Sequence, residues 1–242
     1  VITVGDTLRF QTDGYVILPG LVTDPVLARL RNESAALIAR LVAGMDATGQ
    51  ADPRVTWWRL ASGEPYIFKI KPVFDLVPAA RQVGHSPELI TAVTALLGGR
   101  PRLMEEKITY KQRVALARDW PTLRVLGEEV RKHSDAAYFH TRGFNDPIVT
   151  VAVCLDDAPA ESGAVRVWPG SHRQRLPHIR TSDHGPVVPD PAAPDAAGVT
   201  LAALAGSALA WDARLVHASG PNTTGRPRRL LILGYARATP AR

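Results

Sequence analysis

The chain has 242 residues, 45% of them hydrophobic and 21% charged, the make-up of an ordinary globular protein long enough to bury a core of its own. A single cysteine, Cys154, excludes an internal disulfide and a cysteine-built zinc site. The net charge of +6 favours anionic partners, but the basic residues are scattered, with no Lys/Arg run interleaved with aromatics, so no nucleic-acid partner is expected.

No stretch is long and apolar enough to span a membrane. The N-terminal VITVGDTLRFQTDG lacks a basic head followed by an apolar run, so no signal peptide is expected and the cytoplasm is the default. In chain order, DTLRFQTDGYVILPG reads as a short helix, a turn at Asp13-Gly14 and a strand. TDPVLARLRNESAALIARLVAG is an amphipathic helix, capped by Thr23 or Asp24 with Pro25 in its first turn. ATGQADPRVTWWRLASGEP, rich in turn residues, reads as a loop, and YIFKIKPV as a strand. LVPAARQVGH and SPELITAVTALLGG are two further helices, the second opened by Ser86 and closed by Gly98-Gly99.

From about residue 101 the pattern becomes β-rich. RLMEEKITYK, IVTVAVCL, GAVRVWPG, GVTLAALAGSALAWD and RRLLILGYARA are short runs separated by Gly, Pro, Asn and Asp. Cys154, inside one of them, is expected to be a buried hydrophobe. The whole predicts one domain over 1–242, mainly β with flanking α. Residues 1–100 form a helix-and-strand flank, and 101–242 a sandwich or jelly-roll core. Residues 112–132 and 173–199 read as inserts of the kind that form lids.

KHSDAAYFH, residues 132–140, holds three candidate metal ligands. His133 and Asp135 lie two residues apart, which on a strand puts both on one face. His140 is an odd number of residues away and on a straight strand would face the other way. A third ligand must come from elsewhere, and RLVHASGPN offers His217, on a late run that a jelly roll can set beside an early one. Two imidazoles and one carboxylate with open positions beside them suit non-haem Fe(II) that activates O2. Arg228, eleven residues after His217, can form a two-pronged bridge with an acidic co-substrate, and Ser219 can add a hydroxyl. Arg226 and Arg229 read as surface cations, since only one of the neighbours Arg228 and Arg229 can face a barrel interior.

Four stretches then carry a resemblance over nearly the whole chain: FQTDGYVILPGLV, HSDAAYF, ESGAVRVWPGSHR and VHASGPNTTGRPRR. In their order and spacing the sequence resembles the phytanoyl-CoA dioxygenase-like family of Fe(II)/2-oxoglutarate oxygenases. The resemblance implies a double-stranded β-helix (a jelly-roll, cupin-like core), a metal triad of His133, Asp135 and His217, and 2-oxoglutarate on Arg228 and Ser219. It also implies that the strand EEKITYK lines the co-substrate pocket through Lys107 and Thr109. Halogenating relatives carry Gly or Ala in place of the carboxylate, so Asp135 implies an oxygenase.

Phe139, His140, Trp58 and Trp120 are candidate substrate contacts, with core plugging the alternative for the tryptophans. His172, in the PGSH turn, reads as structural. His178 and His184 read as solvated residues of a loop, and His85 as a helix end. The expected function is hydroxylation of an unactivated C–H bond in a small organic molecule, anionic or neutral. Tailoring of an antibiotic-type metabolite is the favoured setting. Desaturation, epoxidation and ring formation stand as alternatives within the class. A cupin-like metal enzyme without 2-oxoglutarate and a basic non-catalytic binding protein are the rivals outside it. The sequence leaves the oligomeric state open.

Overall fold

The computed structural model describes residues 2–60, 62–112, 129–140, 143–144, 147–181 and 185–238. The chain opens with α1 (Val4–Asp13), capped by a reciprocal Thr3–Asp6 box. Gly14 turns the chain in the left-handed region (φ 87°) into β1 (Tyr15–Leu18). A β-carbon at Gly14 would meet His172 Nδ1 at 2.5 Å, so this turn needs glycine for its space as well as its angle. His172 itself is buried against the end of α1, with Nε2 3.2 Å from the Gln11 carbonyl, the structural role expected of it.

Helix α2 (Asp24–Thr48) has Thr23 at its N-cap, Pro25 in its first turn and Gly49 at its left-handed C-cap. It therefore runs through Gly44 and into the segment read as a loop. That segment also holds β2 (Val55–Arg59), which carries both tryptophans and pairs with β3 (Pro65–Ile70). Flanking turn residues hid a short run of Val, Thr and Trp, residue types that suit a pleated surface. Helices α3 (Pro78–Gly84) and α4 (Pro87–Leu97) follow, with Ser86 Oγ accepting from the Leu89 amide and His85 at the end of α3.

The remaining elements are β4 (Pro101–Lys111), β5 (Val130–His133), α5 (Asp135–Phe139), β6 (Ile148–Cys154), β7 (Val165–Val167), β8 (Ile179–Thr181), β9 (Gly185–Val187), β10 (Val199–Thr200), β11 (Ala208–Asp212), β12 (His217–Ser219) and β13 (Arg228–Arg237). Among the described residues a large sheet runs in the order β1-β11-β6-β13-β4-β3-β2, and a smaller one β10-β7-β12-β5. Every pairing is antiparallel. The two sheets face each other as a jelly roll, with β6 buried along its whole length.

The layers follow from alternation. Val149, Val151, Val153, Leu231 and Leu233 point outward and share a core with Leu30, Leu37, Ala80, Val83 and Val93 of the helices. Ala152, Cys154, Leu209, Trp211 and Leu230 point inward, against Val165, Val167 and Leu215 on the side of the smaller sheet. Cys154 is fully buried, and burial pushes its thiol up to about 11. No helix among the described residues is long and apolar enough to cross a membrane.

Most of 112–132 lies outside the described residues, and its end is β5. The described residues of 173–199 include the antiparallel pair β8–β9 and two 3-10 turns. The segment is tied to the outside of the small sheet. Lys132 Nζ reaches Asp190 at 2.6 Å and Asp195 at 2.9 Å, and Trp168 Nε1 donates to the Pro194 carbonyl. None of its described residues lines the central cavity.

Candidate metal and co-substrate site

His133 ends β5 and His217 begins β12, and the two are direct partners across the antiparallel pair. Their rings lie 4.2 Å apart. Ser134 is extended and Asp135 opens α5, which turns the carboxylate back toward the same place. The possible ligand atoms of His133, Asp135 and His217 all lie within 4.8 Å of one another.

What aims these atoms is the set of bonds on their far sides. His133 Nδ1 lies 2.8 Å from the Arg131 carbonyl, and His217 Nδ1 3.1 Å from the Leu215 carbonyl. A carbonyl only accepts, so each Nδ1 carries a proton, which leaves Nε2 as the nitrogen able to offer a lone pair to a metal. Those Nε2 atoms face Asp135 Oδ1 at 3.8 and 3.7 Å. The other carboxylate oxygen is occupied: Thr150 Oγ1 donates to Oδ2 at 2.7 Å and Trp211 Nε1 at 3.0 Å. Burial, aided by the charge of His217, holds His133 down to about 3, so its ring is neutral at ordinary pH. Burial pushes Asp135 up, but the charges of His217, His133 and Lys107 and the Thr150 bond outweigh it and hold the carboxyl near 2.

The site opens into a cavity of about 410 Å³. Arg228, Ser219, Lys107 and Thr109 all line it, as does Phe139. Alternation explains the set: Lys107, Thr109 and Lys111 share one face of β4, and Arg228, Leu230 and Ile232 are their cross-strand partners on β13. Arg228 is buried and its Nη2 donates to the Gly163 carbonyl at 3.0 Å. Gly163 has φ 71°, and a β-carbon there would meet the Gly220 carbonyl at 2.4 Å. Only glycine lets this loop come close enough to hold the guanidinium. Arg229, on the opposite face, is half-buried and bridged to Asp156 at 2.7 Å rather than a surface cation, whereas Arg226 is exposed.

Other expectations fare differently. His140 caps α5, is exposed and does not line the cavity. It is set apart by the helical turn, since the chain is no longer a strand there. Trp58 does not line the cavity but stacks on Phe68, which does. Trp120 and His184 lie outside the described residues. His178 is exposed, with Nε2 3.0 Å from Ser134 Oγ. Thr150, Trp211 and Tyr138, the last edge-on to His133 at 5.7 Å, were not anticipated. A lone hydroxyl within the apolar run of β6 was the one available signal for Thr150.

Glu105, on the cavity wall, bridges to Lys71 and to Lys107 (2.5 Å). Burial pushes its carboxyl up, but the two lysines outweigh this and hold it at about 2, against an unperturbed value of 4.5. A depressed folded pKa adds stability above the unfolded value, and that stability is lost as pH falls toward the folded one. We expect acidification from about pH 6 to about pH 3 to cost the wild type on the order of 2 kcal/mol more than Glu105→Gln. Urea midpoints across that range test this; parallel curves for the two proteins would refute it.

A jelly roll that sets two imidazoles and a carboxylate beside a buried arginine has the architecture of the Fe(II)/2-oxoglutarate oxygenases. Within that class the chain belongs to the phytanoyl-CoA dioxygenase family, whose model, Phytanoyl-CoA dioxygenase (PhyH), matches residues 10–230. It is thus an iron- and 2-oxoglutarate-dependent dioxygenase. The L-proline trans-4-hydroxylase of Streptomyces griseoviridis is 26% identical over 96% of this chain and 85% of its own length. EvdO2 from Micromonospora carbonacea var. aurantiaca, solved with 2-oxoglutarate, superposes with a TM-score of 0.75 at 22% identity, over 98% of this chain and 92% of that one. The epimerase SnoN, solved with Fe3+, α-ketoglutarate and nogalamycin RO, gives 0.71 at 22% identity, over 97% and 83%.

Proposed function

We propose that the chain hydroxylates an unactivated C–H bond of a small organic molecule, as a tailoring step in specialised, antibiotic-type metabolism. The observation that carries this reading is the convergence of His133 Nε2, His217 Nε2 and Asp135 Oδ1, each turned inward by a bond on its opposite side. Two imidazoles and one carboxylate fit Fe(II) and leave positions for a co-substrate. Iron and 2-oxoglutarate, when bound, supply the activation of O2 and the oxidising power that side chains lack.

The protein's own part is placement. His133, Asp135 and His217 hold the metal. Arg228 and Ser219 receive the distal carboxylate of 2-oxoglutarate, with Lys107 and Thr109 on the adjoining wall. Phe139 offers an apolar surface against which a substrate C–H can be turned toward the metal. Asp135 fills the place that Gly or Ala leaves open in halogenating relatives, which favours oxygenation.

A cavity of about 410 Å³ suits a small molecule. The likeness to a proline hydroxylase supports that substrate size, and the likeness to a nogalamycin-bound enzyme supports a tailoring role. Mass spectrometry of products from a panel of candidate metabolites tests the reaction. Gain of one oxygen atom together with succinate supports hydroxylation. Loss of two hydrogens points to desaturation or ring closure, and an unchanged mass with inverted configuration to epimerisation. Product formed without succinate release would overturn the whole reading.

A further inference from the structure

Neighbouring residues of a strand face opposite ways, yet Phe68 and Lys69 of β3 both line the cavity. The cause is a bulge. Thr56 pairs with Lys69 and Trp57 with Ile67, which leaves Phe68 as the extra residue. A bulge gives up ladder pairing and re-aims side chains, a device found beside active sites. The Phe68 ring is braced by Trp58, stacked at 5.8 Å and 27°, and Trp58 stacks in turn on Tyr66 at 5.5 Å. Lys69 lies opposite Thr109 on β4, and Arg131 of β5 borders the same cavity.

Charge gives the second observation. Among the described residues, six basic side chains line the cavity against three carboxylates. Glu105 is engaged by two of the lysines and Asp135 faces the two imidazoles. Because 2-oxoglutarate is a dianion, it offsets a divalent iron, and the described lining keeps its positive surplus in the loaded enzyme. A surplus of this kind attracts and holds an anion.

We propose that the bulge builds the substrate's recognition site and that the substrate is a small organic anion. Its oxyanion group, carboxylate or phosphate, lies against Lys69 and Arg131, and its apolar body lies on Phe68. This rests on the functional reading above and names the substrate class for it.

Trp58 offers a direct readout, because a ligand on Phe68 changes the stack behind it. The test is a tryptophan-fluorescence titration with 3-phenylpropionate, phenyl phosphate and the neutral 3-phenylpropan-1-ol. It is run on the metal-free protein and again with Zn(II) and 2-oxoglutarate present. At least one anion is expected to bind roughly ten-fold or more tightly than the alcohol in both conditions, the worth of about one charge-assisted contact. The tighter of the two anions identifies the oxyanion. Lys69→Met brings the anions to the alcohol's affinity, Lys69→Arg restores the preference, and Phe68→Ala weakens all three probes. Arg226→Met, outside the cavity, leaves the preference in place.

Equal affinity for alcohol and anions would overturn the proposal. So would a preference that survives Lys69→Met, or competitive displacement of the anions by 2-oxoglutarate, which would assign the site to the co-substrate. Calorimetry of 2-oxoglutarate binding to the Zn(II) protein is read separately. Its failure defeats the functional reading, while the metal-free titration still decides the anion site.

Discussion

Asp135→Ala is expected to abolish product formation and to lower Fe(II) affinity by more than any other single change at the site. Partners that merely orient a ligand cost roughly 10- to 100-fold in metal affinity when removed. Thr150, which donates to Asp135 Oδ2, is such a partner, so Thr150→Val sets a lower bound for the ligand itself. Removing the carboxylate takes away both the metal-facing oxygen and the negative charge between two imidazoles. It also leaves the Trp211 indole N–H, buried beside it, without its acceptor.

Asp135→Asn separates these effects. It keeps the shape and an acceptor for Thr150 or Trp211, but not the charge. The expected order of Fe(II) affinity is wild type, then Thr150→Val, then Asp135→Asn, then Asp135→Ala. Metal titration, with thermal melts as a check on folding, reads that order directly. A folded Asp135→Ala protein that binds Fe(II) like the wild type would remove Asp135 from the metal site.

The triad was legible in the sequence because its logic is local at each end. His133 and Asp135 are close in the chain, and His217 needed only a late strand beside an early one, which the pairing of His133 with His217 supplies. Strand parity nonetheless misdescribed the segment. The backbone leaves the extended state after Ser134, and Asp135 converges from the first position of a helix. For Lys107 and Thr109 the signal was the family resemblance, and alternation along β4 and β13 then accounts for their sharing the cavity wall with Arg228.

What could not be read ahead depends on contacts between distant segments. Thr150 and Trp211 meet Asp135 across two strands of the large sheet. The bulge at Phe68 is a mismatch between β2 and β3, and it leaves no mark on the alternation of β3 alone. Gly163 looks like any turn glycine until the Gly220 carbonyl is placed beside it. The β2 strand was missed because its tryptophans lie between Asp-Pro and Ser-Gly, where turn signals dominate a five-residue run.

Arg228→Met is expected to raise the 2-oxoglutarate requirement steeply while leaving Fe(II) affinity near the wild-type value. Arg228 is buried at one end of the cavity, opposite Lys111 across the β4–β13 pair, with Nη2 held by the Gly163 carbonyl. A guanidinium held in that way has a fixed plane, the geometry that a carboxylate matches. Removing one partner of a buried charged contact costs about 2–5 kcal/mol, which is roughly 30- to several thousand-fold in affinity. Arg228→Lys recovers little of this, because an ammonium supplies charge without the planar fork. Gly163→Ala tests the same geometry from behind. Its β-carbon would press on the Gly220 carbonyl and shift the acceptor that holds Nη2, so it weakens 2-oxoglutarate without touching the metal ligands. Calorimetry with the Zn(II)-substituted protein measures both affinities. If Arg228→Met kept 2-oxoglutarate within about three-fold of the wild type, the co-substrate's distal carboxylate would have to be held by the lysines of β4 instead.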